Sequence, residues 1–356
     1  MQHPNTPVIE SDSIAGIYYY GPAQQVLING DLQQGWSLPD TLDAVPCGEN
    51  TFFHVRFLLP YDARVDYQLI VDSAYITDPR NPVITPSGFG PHSQLAMPGF
   101  VPDPARAHYP DVPRGHVDSV FFESFDEMIL SRLIKIYLPA GYDTLSSLPA
   151  LYVMDGLEAL EWMDYANVLD NLIAWQEIKP VIVVFIPPGD RVAEFMGKDF
   201  NLFLETLCDE IVPRIDTTYR TARQPSGRGI TGISAGAYFA LMTVMSRYDV
   251  FGCGAGQSSS ITSETYRVLH NLVKSGNYNK ELKIYFDVGR YDLPQGIVGD
   301  QTFLEVTEEF HREMLRQGVP HKFQVLNDGH EWANWRERTD EILGYFFPSG
   351  HSNRHP

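Results

Sequence analysis

Ser234 stands in Gly232-Ile233-Ser234-Ala235-Gly236, the Gly-x-Ser-x-Gly spacing that sets a serine on a sharp strand-to-helix turn. Small residues two before and two after let neighbouring backbone approach closely, and the N-terminus of the following helix favours negative charge developing there. By itself the pentapeptide is a weak signal, because a glycine-rich βα turn has the same composition. Its partners decide the matter.

A serine hydroxyl attacks only when a base takes its proton, and an imidazole base needs an acid to fix its tautomer and stabilise its cation. His330, in Asn327-Asp328-Gly329-His330-Glu331-Trp332, follows the strand-like run Lys322 to Leu326, and Asp292 lies just past the run Lys283 to Val288. Serine, acid, base is the chain order of α/β-hydrolases. Asp287 competes for the acid's place. Asp292 is preferred because a loop after the strand delivers a carboxylate to the carboxyl edge of an open sheet, where ligands bind. Taken singly, a loop aspartate and a surface histidine are ordinary solvated residues.

An oxyanion next to the serine needs two backbone donors. One is expected from Ala235, and the other from Gly156 or Leu157 in Met154-Asp155-Gly156-Leu157, after the first buried strand. No His-Glu-x-x-His motif occurs among the remaining histidines, and the one His-x3-His spacing, His351 to His355, falls in the C-terminal tail; His54 is on a strand, and His92, His108 and His116 lie in a proline-rich arm. No metal or other cofactor is therefore called for.

These groups need a scaffold. Leu133 to Leu138, Ala150 to Met154, Val181 to Ile186 and Lys283 to Val288 read as strands, the third apolar on both faces as a covered central strand must be. Helical stripes lie between them: Phe200, Phe203, Leu204, Leu207 and Ile211, then Phe303, Phe310 and Met314, ended by Gly318. Such alternation predicts an α/β fold with a doubly wound, mostly parallel sheet.

Ahead of it, Ile17 to Tyr20, Val26 to Ile28, Thr51 to Leu58 and Val65 to Val71 are short β-branched and aromatic runs separated by turn residues, which predicts a small β-sandwich. From Asp78 to Gly115 proline and glycine crowd the chain, so regular elements are not expected, and the length of the stretch suits a segment lining a site between domains. The expected division is 1–100 β-sandwich, 101–115 linker arm, 116–348 α/β domain and 349–356 tail. Tyr18, Tyr20 and Trp36 could stack on a sugar, although strand aromatics are more often core.

The chain of 356 residues carries 26 Lys plus Arg against 45 Asp plus Glu, a formal charge of −19, which disfavours nucleic-acid and membrane-surface partners. No long apolar run or export signal is visible, and Cys47, Cys208 and Cys253 are too few and too scattered for a disulfide framework. Each cysteine is expected to be a small buried hydrophobe, and the chain to be soluble and cytoplasmic.

Gly141-Tyr142-Asp143, Met154-Asp155-Gly156, the Gly232 to Gly236 elbow and Asp328-Gly329-His330-Glu331-Trp332-Ala333-Asn334-Trp335-Arg336 together resemble the family of esterases that includes esterase D, feruloyl esterases and enterochelin esterases. Gly-His-Glu-Trp-x-x-Trp-Arg is the most specific piece and looks like the enterochelin-esterase branch. The resemblance spans about Gly115 to Phe347 and implies an N-terminal immunoglobulin-like early-set domain. It implies Ser234 as nucleophile, His330 as base and Asp292 as acid. Arg191, in Pro188-Gly189-Asp190-Arg191-Val192-Ala193-Glu194-Phe195, faces the cleft as a substrate-binding residue in this reading, or pairs with Asp190 or Glu194. Trp332 is the second candidate substrate contact.

The expected function is a serine carboxylic-ester hydrolase acting on a small-molecule ester through an acyl-enzyme. An acyltransferase with the same triad, or a glycan-binding protein on a relic hydrolase fold, are the rivals. For the β-domain a lid-like or dimer-forming accessory role, as in a homodimer, is expected.

Overall fold

The computed structural model describes residues 5–33, 35–276, 281–293 and 301–350. His351 and His355 lie outside them. Eight strands form the main sheet, in the spatial order His116–Phe122, Arg132–Leu138, Ile182–Ile186, Ala150–Met154, Arg228–Ile233, Cys253–Gln257, Lys283–Tyr291 and Lys322–Gly329. The first two pairings are antiparallel and all later ones parallel. Helices cover both faces, so Ile182–Ile186 is buried throughout and Val183 and Val184 serve opposite layers of core. This is the α/β-hydrolase arrangement.

The strand Cys253–Gln257 carries too little hydrophobicity to read from sequence. Its glycines are required by the helix Ser234–Ser246, which lies directly on them: a Cβ at Gly254 would stand 2.4 Å from Val244 Cγ1, and one at Gly256 2.8 Å from Leu241 Cγ. That helix is buried on nearly every side, which leaves its first turn little freedom to move.

The stripe from Phe200 is helical but not uniformly α. Phe200–Glu205 is α-helix, Thr206–Ile211 winds as a π-helix, and Val212–Thr218 resumes the α form, with Phe203, Leu207 and Ile211 all buried.

The N-terminal part is a pair of antiparallel sheets. One has the order Val8–Ser11, Ile14–Gly21, Asn50–Leu58, Asp43–Cys47, and the other runs Asp40–Thr41, Val26–Gly30, Arg64–Val71, His92–Ala96, Ile84–Thr85. Ile17, Phe53, Val65, Leu69 and Leu95 fill the space between them. The stretch from Asp78 thus does contain regular structure, contrary to expectation. Prolines 91 and 98 leave a proline-free interval long enough for His92–Ala96 to pair with Arg64–Val71, Leu95 facing Val65. Cys208 and Cys253 are buried, but Cys47 is exposed, because every residue of its strand Asp43–Cys47 faces solvent. Among the described residues no helix is long and apolar enough to cross a membrane.

Candidate active site

Ser234 begins its helix with φ 52°, a left-handed backbone that a non-glycine residue adopts only under constraint. The constraint is visible at the flanking glycines. A Cβ at Gly232 would lie 2.4 Å from the backbone of Gly236, and one at Gly236 would lie 2.8 Å from Asp155 Oδ2 and 3.2 Å from Met154 Cβ. Each strand end is pressed against the turn, so the serine hydroxyl is held out at the sheet's edge.

His330 follows the end of the strand Lys322–Gly329. Its Nε2 lies 2.9 Å from Ser234 Oγ, and its Nδ1 lies 2.6 Å from Asp292 Oδ1. The ring makes edge-to-face contacts with Trp335, 4.9 Å between centroids, and with Phe303, 5.5 Å. Both contacts restrict the tilt of its plane.

Asp292 is buried, and burial pushes its carboxyl upward. The charge and hydrogen bond of His330, a hydrogen bond from the Ser258 hydroxyl and the Leu293 amide at 2.8 Å outweigh that, so the group sits below the ordinary carboxylate value. Ser258, with φ 50°, also accepts from the Trp335 indole at 2.9 Å. Asp287 is engaged elsewhere: it receives Arg338 Nε at 2.8 Å and the Tyr285 hydroxyl at 2.9 Å, deep in the core.

Gly156 opens the helix Gly156–Trp162 after Asp155, itself left-handed at φ 52°. A Cβ on Gly156 would lie 2.2 Å from the amide nitrogen of Ile186, so glycine alone lets this turn sit against the neighbouring strand. Gly156, Leu157 and Ala235 all occupy first turns of helices, where backbone N–H groups have no partner within the helix.

Arg191 does not pair with Asp190 or Glu194. Its guanidinium grips Asp155 with two bonds of 2.7 Å, while Asp190 caps its helix through Ala193 N and Glu194 pairs with Arg132. The sequence pattern pointed to local partners; the fold supplies one from the preceding βα turn instead. Burial raises the Asp155 carboxyl, and the Arg191 contacts oppose that rise.

A cavity of about 530 Å³ lies over Ser234 and His330, walled by Trp162, Trp332, Trp335 and Arg191, with Ser87 to Phe89 reaching in from the β-sandwich. Trp332 meets Trp162 edge to face at 5.3 Å. Trp162 and Ser258 carry no local motif, so sequence reasoning passed over them, whereas Ser87 to Phe89 belong to the proline-rich stretch expected to line a site between domains.

Asp66, His92 and Glu331 are buried together, with potential metal-ligand atoms within 4.8 Å of one another. There Arg64 already holds Asp66 with two bonds of 3.0 and 2.8 Å and supplies the positive charge.

A sheet of this order, a serine on a strained elbow and an imidazole within hydrogen-bond reach define an α/β-hydrolase. Residues 127–346 match the family described as "Putative esterase", and the chain belongs to that family. It is a carboxylic-ester hydrolase. The Bacillus subtilis protein YjcH is 24% identical over 211 residues, 57% of this chain and 86% of its own length. An endo-1,4-beta-xylanase/feruloyl esterase of Xylanibacter ruminicola is 28% identical over 286 residues, 72% of this chain but only 36% of that larger protein. The enterobactin esterase of Shigella flexneri shares the fold with a TM-score of 0.75 at 18% identity, covering 96% of this chain and 95% of its own.

Proposed function

We propose that the chain hydrolyses carboxylic esters by acyl transfer to Ser234. The carrying observation is the unbroken series Ser234 Oγ, His330 and Asp292, with contacts of 2.9 and 2.6 Å. His330 Nε2 takes the hydroxyl proton as Oγ attacks the ester carbonyl, and Asp292 stabilises the imidazolium. The Ala235 and Leu157 amides receive the oxyanion, with Gly156 keeping that turn close to the sheet.

As the tetrahedral adduct collapses, the carbon–oxygen bond to the alcohol breaks and the imidazolium gives its proton to the departing oxygen. Water then enters, His330 takes its proton, and the acid is released from Ser234. The substrate in this reading is a small-molecule ester held in the tryptophan-lined cavity, and Arg191 acts by holding Asp155 rather than by meeting the substrate first. Similarity to esterases of enterobactin and feruloyl substrates supports the reaction class.

Ser234→Ala is expected to lower kcat by about 10⁶, as loss of a nucleophile or its base does in comparable triads. Retention of most of the hydrolysis of a simple acyl ester by Ser234→Ala would overturn the reading.

A further inference from the structure

The carbonyl of Gly329 and the amide of His330 belong to one planar peptide group, so whatever grips that carbonyl also sets the plane from which the His330 side chain departs. The grip comes from Asn334, whose Nδ2 donates to the Gly329 oxygen at 2.9 Å. Asn334 is buried, and its own backbone is held: its amide donates to the Glu331 carbonyl at 2.9 Å, and its carbonyl accepts from Arg338 Nη1 at 3.0 Å. The chain from Gly329 to Asn334 is thus a short closed loop, and His330 sits inside it.

An asparagine side chain has a donor end and an acceptor end, and only one way round serves this purpose. The choice is made from outside the α/β domain. Arg64, on the β-sandwich strand Arg64–Val71, places Nη1 2.6 Å from Asn334 Oδ1. Turned over, the amide would set its NH2 group against the guanidinium and its oxygen against the Gly329 carbonyl, donor to donor and acceptor to acceptor. The guanidinium therefore fixes the orientation in which Nδ2 meets Gly329.

Arg64 has little freedom of its own. It is 2% exposed, and its other N–H groups go to Asp66, at 3.0 and 2.8 Å, and to Gln94 Oε1, at 3.2 and 3.1 Å. Both partners belong to the β-sandwich, so the guanidinium is braced within one domain and reaches into the other through the single bond to Asn334. A lysine has neither the planar fork nor enough donors to do the same.

We propose that Arg64 is a positioning residue for hydrolysis: acting through Asn334, it fixes the peptide between Gly329 and His330 and so holds the imidazole in line with Ser234 and Asp292. The proposal rests on the reading of Ser234 and His330 given above. Neither Arg64 nor Asn334 lines the cavity over Ser234, so their loss acts on kcat rather than on KM. The β-sandwich is then needed for turnover of even the smallest ester.

The test measures kcat and KM for phenyl acetate on the full chain and on Asn334→Asp, Asn334→Ala, Arg64→Lys, the double variant Arg64→Lys with Asn334→Ala, and Ser234→Ala. Rates are normalised to titrated active sites, and Tm is recorded beside them. Asn334→Asp keeps an oxygen for Arg64 but has no N–H for Gly329. It is expected to stay folded while kcat falls about 10- to 100-fold, the effect of a slightly misplaced base, and KM changes less than about threefold. Arg64→Lys should lower kcat about tenfold, and the double variant should match Asn334→Ala within about twofold, because the arginine acts through the asparagine.

Unchanged kcat in Asn334→Asp or in Arg64→Lys overturns the proposal. So does a rise in KM with kcat kept, which would mark a substrate contact, and so do losses that multiply in the double variant, which would mark two independent structural contacts. Asn334→Asp and the double-variant comparison are separate arms, and either decides if a variant in the other fails to fold. Turnover of phenyl acetate by Ser234→Ala, or none by the native chain, defeats the catalytic reading instead and is distinguishable from these.

Discussion

The carboxylate of Asp31, from the β-sandwich, fills the place where a side chain on Gly329 would stand: a Cβ there would lie 2.1 Å from Asp31 Cγ. Gly329 directly precedes His330, so the sandwich buttresses the base from behind. Asp31 is itself held by the Asp66 amide at 2.8 Å and the Trp36 indole at 2.9 Å. Gly329→Ala is therefore expected to cost about 1–3 kcal/mol as overpacking, and to lower kcat on the order of 10²-fold by displacing the imidazole. Asp31→Ala in the same chain should restore part of the activity. Thermal denaturation and steady-state kinetics of the single and double variants check this, and full activity in Gly329→Ala would refute the coupling.

Asp292 and Asp287 should separate by their effects. Asp292→Asn leaves the shape of the site but takes away the acid that orients His330, and a fall in kcat of about 10⁴ is expected. Asp287→Asn instead breaks the buried contacts to Arg338 and Tyr285. It should lower Tm while kcat of the folded fraction changes by less than about tenfold. Kinetics normalised to active-site titration decides which aspartate serves His330.

Arg191→Ala leaves the buried Asp155 carboxylate without its two donors. Arg191 is partly exposed, its side chain at 39%, so the cost is expected at about 1–3 kcal/mol rather than the full value for a buried pair. Because Asp155 precedes Gly156 and Leu157, kcat should fall about 10- to 100-fold with little change in KM for a methyl ester. A rise in KM alone would mark Arg191 as a substrate contact instead.

The Asp31 carboxyl has a pH signature. Burial, with the neighbouring Asp66 charge, raises it to about 8. Its unfolded value is about 3.9. The folded chain thus keeps a proton that the unfolded chain has lost, and the stability contributed by that proton is complete below about pH 4 and is lost as pH rises through about 8. Asp31→Asn removes the titration. The Tm of the native chain minus that of Asp31→Asn should shrink steadily between pH 5 and pH 9, and a constant difference across that range would contradict the assignment.

The parts legible in the sequence are those with strong local signals. The elbow glycines announce a turn because nothing larger fits at Gly232 or Gly236, and Val181 to Ile186 announces a central strand because both faces are apolar. What escaped notice depends on distant packing. The strand Cys253–Gln257 is glycine-rich because a helix lies on it, which hides its strand character. His92–Ala96 pairs into a sheet from within a proline-rich stretch, and Cys47 is exposed on an outer strand of its sheet. Arg191 has acidic neighbours in sequence, yet the fold gives it Asp155, a partner that no spacing rule encodes. The stretch from Asp78 was legible in one respect: its length suited a segment lining a site, and Ser87 to Phe89 do wall the cavity over Ser234.

The central claim is a covalent one, and mass spectrometry reaches it directly. The enzyme is quenched in acid during turnover of a slowly deacylating ester, and its intact mass and proteolytic peptides are measured. The account expects one added acyl group per chain, carried by Ser234 and absent from Ser234→Ala. Sustained turnover with no adduct, or an adduct on another residue, would contradict it.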